Sequence, residues 1–258
     1  MKIGFFDSGL GGLTILSAVT KLLPDYDYEF YGDTANLPYG DKTEDEIYQL
    51  TIQGIENLFA KNCTLVIVAC NTASAETLRK LQKEYLPHQH SNKKVLGVII
   101  PTIEALIEQN IKSSILIGTK RTINSQKYEQ EIVKKNYEVK LTSIATPELV
   151  LLIENLENDK ALENVVKIIE QRKNSEEGIV LGCTHYTVLK EKLQGKYAEQ
   201  FKILSQDEII PTKLKSYLDN HPEIENKLSK NKTRNIFLTE HKNKYDKFLQ
   251  ELLSGKFI

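Results

Sequence analysis

Short apolar runs alternate with amphipathic stretches from the first residue of the chain to the last. The runs have the length of β-strands and lie at residues 2–6, 28–31, 65–69, 95–99, 114–118, 139–143, 178–182, 202–204 and 235–239. Between them, apolar residues return with a helical period, as they do before Pro24 and again across residues 47–59. Strands that alternate with helices are typical of parallel sheets with helical crossovers. The pattern therefore predicts an α/β fold.

A repeat relates the two halves of the chain. Residues 66–72 read Val-Ile-Val-Ala-Cys-Asn-Thr, and residues 179–185 read Ile-Val-Leu-Gly-Cys-Thr-His. The spacing from Asp7 to Cys70 is 63 residues, and that from Thr119 to Cys183 is 64. We therefore expect two related halves, each of which presents one cysteine at the same place on its own sheet.

Composition and charge exclude several classes of protein. The 258 residues include 34 Lys or Arg and 35 Asp or Glu, which leaves a formal net charge of −1 and no overall positive field to gather nucleic acid or anionic lipid. Three cysteines are too few for a secreted disulfide framework. No apolar run approaches the roughly 20 residues that span a bilayer, and Asp7 interrupts any signal-peptide core. We expect a cytoplasmic protein without nucleic-acid or membrane partners.

Candidate chemistry lies at the ends of four predicted strands, because ligands of parallel α/β sheets bind beyond the carboxyl ends of the strands. The segments in question are 7–12, 32–40, 70–72 and 183–185. In the first of them, Gly9, Gly11 and Gly12 form a turn whose free N–H groups can hold a carboxylate or a phosphate. The turn does not fit a dinucleotide fingerprint, because Thr14 stands where the last glycine belongs and Asp7 would face the pyrophosphate.

Two cysteines share one context. Cys70 and Cys183 each follow an apolar strand and precede an amphipathic helix, which we expect Asn71 or Thr72 to cap in the first case and Thr184 in the second. A helix N-terminus favours the thiolate, whereas burial opposes it. Such a matched pair is suited to acid/base chemistry. By contrast, Cys63 is predicted to lie before a strand, where it has a packing role.

The other candidate residues leave alternatives open. His185 can act as an acid/base, as a hydrogen-bond partner of the Cys183 thiol, or as a structural imidazole. For Glu154 a surface position and a functional one are equally compatible with the sequence. A structural zinc site needs four close-set ligands, and only Cys183 and His185 are near neighbours, so no metal is predicted.

Taken together, these strand ends resemble the glutamate racemases. Four blocks carry the resemblance: Phe-Asp-Ser-Gly-Leu-Gly-Gly-Leu-Thr at residues 6–14, Gly-Asp-Thr to Pro-Tyr-Gly at 32–40, Ala-Cys-Asn-Thr-Ala at 69–73 and Leu-Gly-Cys-Thr-His-Tyr at 181–186. The resemblance covers about residues 1 to 195. Three positions depart from the family pattern, namely Thr187 in place of a proline, the poorly matching segment 204–208, and Thr239-Glu240 in place of Thr-Gly.

The resemblance implies a cofactor-independent racemase that interconverts L- and D-glutamate and supplies D-glutamate for peptidoglycan. It also implies a homodimer of chains with two pseudo-symmetric α/β domains, residues 1–93 with 207–258 and residues 94–206, and an active site in the cleft between them. By position, Cys70 acts on the D-face of the substrate and Cys183 on the L-face, and Asp7, Glu154 and His185 assist proton transfer. The substrate is held by Asp7, Ser8, Tyr39, Gly40, Asn71, Thr72, Thr119, Thr184 and His185.

Other functions stay open on the sequence alone. One is racemisation of aspartate or a related amino acid, because the size of the pocket decides between these substrates and glutamate. A second is a non-catalytic protein that clamps an acidic amino acid between its two halves. A third, a thiol-redox or cysteine-nucleophile enzyme, would be marked by a C-x-x-C pair or a covalent intermediate, and neither is indicated.

Overall fold

The computed structural model describes residues 1–172, 176–243, 245–246 and 249–250. Within these residues every predicted strand is present, as β1 (Lys2–Asp7), β2 (Tyr28–Gly32), β3 (Cys63–Val68), β4 (Lys94–Gly97), β5 (Ser113–Gly118), β6 (Lys140–Ala145), β7 (Gly178–Gly182), β8 (Lys202–Leu204) and β9 (Arg234–Leu238). The strand boundaries lie within two residues of the predicted ones, and two of the differences change the context of a residue. Cys63 begins β3 instead of preceding it, and β4 stops at Gly97 because Ile99 already starts a helix.

Helices connect the strands. They are α1 (Gly12–Leu22), α2 (Glu44–Ala60), α3 (Asn71–Glu76), α4 (Leu78–Lys80), α5 (Leu86–Gln89), α6 (Ile99–Glu108), α7 (Lys120–Asn124), α8 (Lys127–Lys134), α9 (Leu149–Glu154), α10 (Asn158–Glu170), α11 (Lys190–Tyr197), α12 (Gln206–Asn220) and α13 (Pro222–Glu225). Local chemistry explains the start of α2, where Thr43 and Glu46 form a reciprocal capping box.

The strands form two parallel sheets with related topologies. The first sheet has the order β4-β3-β1-β2-β9 and the second the order β6-β5-β7-β8. Read in the opposite direction, the second sheet is β8-β7-β5-β6, so that β1 corresponds to β5 and β3 to β7. The predicted duplication agrees with this topology, because Cys70 follows β3 and Cys183 follows β7 at equivalent edges of their sheets.

We call each sheet with its packed helices a lobe, the first lobe being built on β4-β3-β1-β2-β9. Since β4 pairs with β3, residues 94–97 belong to the first lobe, across the predicted domain boundary at residue 93. The other predicted domain limits stay a prediction. The first sheet packs on α1 and α12 on one side and on α2 on the other, and the second lobe has apolar layers of its own.

The helical segment that begins after Cys70 forms part of the contact between the lobes. In it, Thr72 Oγ1 lies 2.9 Å from Thr119 Oγ1, and Arg79 donates to the buried carboxylate of Glu131 with an Nη2–Oε2 distance of 2.7 Å. Glu76 pairs with Arg121 of α7 at 3.1 Å. The position of Cys70 is therefore coupled to the packing of one lobe on the other.

Thr187, which departs from the family pattern, makes a further contact between the lobes. Its Oγ1 donates to the carbonyl of Thr184 at 2.8 Å and lies 3.0 Å from Oγ1 of Thr14. Residues Thr184–Leu189 form a 3-10 helix, and α11 begins only at Lys190. A hydroxyl contact thus stands where the family usually has a proline ring.

Candidate active site

The carboxyl ends of both sheets meet at one small cavity between the lobes. All the predicted site residues line it except Asp7 and Glu154, namely Ser8, Tyr39, Gly40, Cys70, Asn71, Thr72, Thr119, Cys183, Thr184 and His185. Four further lining residues lie outside the segments that the sequence indicated, namely Asp41, Lys120, Pro147 and Val150, whereas Leu37 and Pro38 lie within segment 32–40. The cavity encloses about 20 Å³, roughly the room for one water molecule. A substrate larger than water therefore needs the lobes or the lining side chains to move.

Cys70 caps its own helix. Its Sγ accepts a hydrogen bond from the backbone N–H of Ala73 at 3.5 Å, and Ser8 Oγ lies 3.4 Å from the sulfur. The predicted caps were Asn71 and Thr72, but these residues are already inside α3. Burial, with the nearby Asp7 carboxylate, raises the pKa of Cys70 to about 12 against the two hydrogen bonds. Cys70 is consequently a thiol at neutral pH, and the helix N-terminus does not reverse the effect of burial.

Cys183 sits beside the imidazole of His185. The Sγ–Nδ1 distance is 3.8 Å, within the range of a sulfur hydrogen bond, and both side chains are buried. Thr184 was predicted to cap the helix that follows Cys183, but its hydroxyl instead donates to Asp7 Oδ1 of the other lobe at 3.3 Å.

His185 is held from behind by Glu154. The Nε2–Oε1 distance is 2.7 Å, and Glu154 is only 9% exposed in its side chain, so it is no surface charge. Burial opposes the imidazolium, but the hydrogen bonds to Cys183 and Glu154 outweigh it and raise the pKa of His185 well above its usual value. The sulfur of Cys183, the imidazole of His185 and the carboxylate of Glu154 therefore lie in series. Glu154 also lines a second small cavity, together with Tyr245.

Asp7 lies one layer behind the cavity and binds the glycine-rich turn. Its Oδ2 accepts the N–H groups of Gly9 at 3.2 Å and Gly12 at 3.0 Å. These donors were predicted to hold a ligand anion, but the carboxylate of Asp7 already occupies them. Burial raises the pKa of Asp7 although His185 and the two N–H groups oppose the shift.

Tyr39 is fixed by Asp33, a residue that was not among the predicted site residues. The Tyr39 hydroxyl donates to Asp33 Oδ2 at 2.6 Å, and Thr239 Oγ1 donates to Oδ1 at 3.0 Å. Asp33 directly follows β2, so the rule about strand ends did point to it. Thr239 ties the end of β9 to the loop that carries Tyr39 and Gly40.

Two further groups that sequence reasoning missed surround the start of α3. Thr122 joins Thr72 and Thr119 in a cluster of three hydroxyls, with Thr119 Oγ1 2.9 Å from Thr122 Oγ1. The Asn71 amide is bonded to Tyr128 and Gln206. Thr122 lies in the first turn of α7, which Thr119 caps. No local pattern marks Tyr128 and Gln206, because they meet Asn71 only after the chain has folded.

Within the described ranges, no group of three or more His, Cys, Asp or Glu side chains is arranged to hold a metal ion. None of the helices in the described part of the chain is long and apolar enough to cross a membrane.

Comparison with known proteins identifies the family of the chain. Residues 14–206 match the family described as Asp/Glu/Hydantoin racemase. The glutamate racemase of Roseobacter denitrificans is 35% identical over 236 residues, which cover 86% of this chain and 87% of that protein. Among solved structures, a glutamate racemase isoform of Bacillus anthracis superposes with a TM-score of 0.86 at 28% identity and covers 98% of this chain and 94% of its own. The Francisella tularensis glutamate racemase in complex with D-glutamate gives 0.82 at 26% identity, covering 98% of this chain and 93% of its own. The chain therefore belongs to the Asp/Glu/hydantoin racemase family and is an amino-acid racemase.

Proposed function

We propose that the chain interconverts L- and D-glutamate by moving the Cα proton between Cys70 and Cys183. One observation carries the proposal: thiols from equivalent positions of two related sheets line a single cavity between the lobes. Racemisation removes a proton from one face of Cα and returns one to the other. It therefore needs two acid/base groups on opposite sides of a planar carbon, and two lobes provide them.

The surroundings of the two thiols support different starting roles for them. Cys70, whose pKa is raised to about 12 by burial and by Asp7, begins as an acid. Cys183 has the imidazole of His185 beside it, and we propose that this imidazole holds the thiol proton while Glu154 holds the ring, so that Cys183 meets the substrate as a thiolate. In the L-to-D direction we propose that Cys183 takes the Cα proton and that the thiol of Cys70 gives its proton to the opposite face.

The carbanion needs help, because the Cα proton is only weakly acidic. Breaking the Cα–H bond leaves an electron pair that spreads into the α-carboxylate, where hydrogen-bond donors and the exclusion of water lower the barrier. We propose that hydrogen-bond donors for the substrate carboxylates come from Asn71, Thr72 and Thr184, together with the Tyr39-Gly40 segment and Thr119. Ser8 contacts the ammonium group, and Asp7 acts from behind the cavity by holding the glycine-rich turn and Thr184. This arrangement requires no organic cofactor.

The cellular role follows from the proposed reaction. D-Glutamate made in the cytoplasm would serve peptidoglycan synthesis, and a homodimer is the assembly that we expect. The relatives support the substrate on which this role depends, because proteins that match most of this chain are glutamate racemases.

A direct assay tests the proposal. The purified protein, without pyridoxal phosphate, is expected to convert L-glutamate to the racemate and D-glutamate likewise, with equal kcat/KM in the two directions because the enantiomers have equal free energies. Chiral chromatography of the products measures both. L-Aspartate, incubated in parallel, separates the alternatives: faster conversion of aspartate would favour that substrate. Binding of glutamate without conversion would favour a clamp protein.

A further inference from the structure

Asn71, the residue after Cys70, is enclosed by a ring of hydrogen bonds. Its Nδ2 donates to Gln206 Oε1 at 2.8 Å, and Gln206 Nε2 donates back to Asn71 Oδ1 at 2.8 Å. The hydroxyl of Tyr128 also donates to Asn71 Oδ1 at 2.8 Å, and Gln206 Nε2 lies 3.4 Å from the same hydroxyl oxygen. All three side chains are buried, with at most 2% of any of them exposed.

The ring can form in two orientations of its amides. In the structure, the Tyr128 hydroxyl donates to Asn71 Oδ1 and accepts from Gln206 Nε2. If both amides turned over together, Asn71 Nδ2 would donate to the hydroxyl and the hydroxyl would donate to Gln206 Oε1, so the ring would still be satisfied. That orientation would use both N–H groups of Asn71 within the ring, whereas the orientation in the structure leaves one of them over.

One donor of the amide is left over. An asparagine amide has two N–H groups, and in the described residues only Gln206 accepts from Asn71 Nδ2. Asn71 lines the cavity together with Cys70. We propose that Gln206 and Tyr128 are positioning residues that hold the Asn71 amide with its second N–H toward the cleft, where a carboxylate of the substrate accepts it. The proposal rests on the proposed function and adds two residues to its machinery.

The ring also links the donor to the packing of the lobes. Asn71 stands in the first turn of α3, which Cys70 caps, whereas Tyr128 lies on α8. Gln206 is the first residue of α12 and is separated only by Ser205 from the strand β8 of the second sheet. The ring closes only when these elements are packed together. The packing of the lobes therefore positions both the Asn71 N–H that donates to the substrate carboxylate and the Cys70 thiol.

The test removes the Gln206 amide and keeps its size. Gln206→Met is expected to raise KM for glutamate about 10- to 100-fold, the usual range for one hydrogen bond to a charged group, with a much smaller change in kcat. In a double-mutant cycle, Gln206→Met should have no further effect on KM in an Asn71→Ala background, because Gln206 acts through Asn71. A purely structural role would give the same KM change in both backgrounds.

Tyrosine variants provide a second, milder test and its control. Tyr128→Phe is expected to raise KM severalfold. Tyr28→Phe also removes a buried hydroxyl, one that donates to the Leu23 carbonyl at 2.7 Å and has no partner in the ring, so it should leave KM unchanged. Equal KM values for Tyr128→Phe and the wild type, or an additive cycle for Gln206→Met, would overturn the inference.

A spectroscopic readout separates this inference from the proposed function. In the ¹⁵N-labelled protein, the side-chain amide protons of Asn71, assigned by their loss in Asn71→Ala, should shift in Gln206→Met and in Tyr128→Phe but not in Tyr28→Phe. Unchanged Asn71 resonances would overturn the positioning role even in an active enzyme. A wild-type protein that leaves glutamate unchanged would contradict the proposed function, whereas these shifts would still report whether the two residues hold the amide.

Discussion

Replacing either Cys70 or Cys183 with serine is expected to lower kcat for racemisation by about 10²- to 10⁴-fold, the range that a positioned acid or base contributes. A serine hydroxyl is a far weaker acid than a thiol, so it can neither give nor take the Cα proton at neutral pH. Because sulfur and oxygen differ little in size, the fold should persist. Circular dichroism and thermal unfolding would check the fold, and chiral chromatography would measure the rate.

The third cysteine offers a matched control. Cys63 is equally buried, but it lies in β3 and does not line the cavity. Cys63→Ser should lose some stability, because a hydroxyl replaces a buried thiol, and should keep wild-type kcat. Full activity in Cys70→Ser or in Cys183→Ser would exclude the two-thiol mechanism, as would a loss in Cys63→Ser as large as theirs.

A single methyl group at Gly11 is expected to lower kcat/KM at least about 100-fold, the cost of misplacing catalytic groups by roughly 1 Å. A Cβ at this position would lie 2.6 Å from Thr184 Oγ1, 2.7 Å from the backbone N of His185 and 2.8 Å from the carbonyl carbon of Thr184. Two of these atoms belong to the backbone and cannot turn away. Gly11→Ala must therefore move the turn after β1 away from the segment that carries Cys183 and His185.

The natural control for Gly11→Ala is Gly195→Ala on α11. A Cβ built on Gly195 has no atom within 4 Å, and alanine is the better helix former by about 1 kcal/mol. Gly195→Ala should keep wild-type kcat/KM and be slightly more stable. If Gly11→Ala retained wild-type kcat/KM, the close approach of the lobes at this point would not be needed for catalysis.

Much of the fold and of the site follows from the chain's local patterns. Apolar runs of strand length located every strand of the described residues, and the polar residues directly after those runs included Cys70 and Cys183. Both inferences depend on short-range regularities: burial of a parallel strand on both faces and the position of ligands at its carboxyl end. The repeat in the sequence likewise anticipated the matching order of the two sheets.

What the sequence did not reveal depends on contacts between distant residues. Gln206 lies 135 positions from Asn71 in the chain, and no periodicity connects them. The helix caps were misassigned for a related reason, since Thr184 was free to cap its helix until folding brought Asp7 of the other lobe within reach. The glycine-rich turn is a local exception. Asp7 stands only two residues before Gly9, but the sequence does not show that its side chain folds back to accept the N–H groups of the turn.

The position of a solvent deuteron tests the central claim, two thiols on opposite faces of Cα, most directly. Protiated L-glutamate is incubated with the wild-type protein in D₂O, and the enantiomers are separated at low conversion and analysed by NMR and mass spectrometry. Two thiols predict that D-glutamate carries deuterium at Cα from the first turnover while the recovered L-glutamate stays protiated. Equal early labelling of both enantiomers, or D-glutamate that keeps the original proton, would contradict the account.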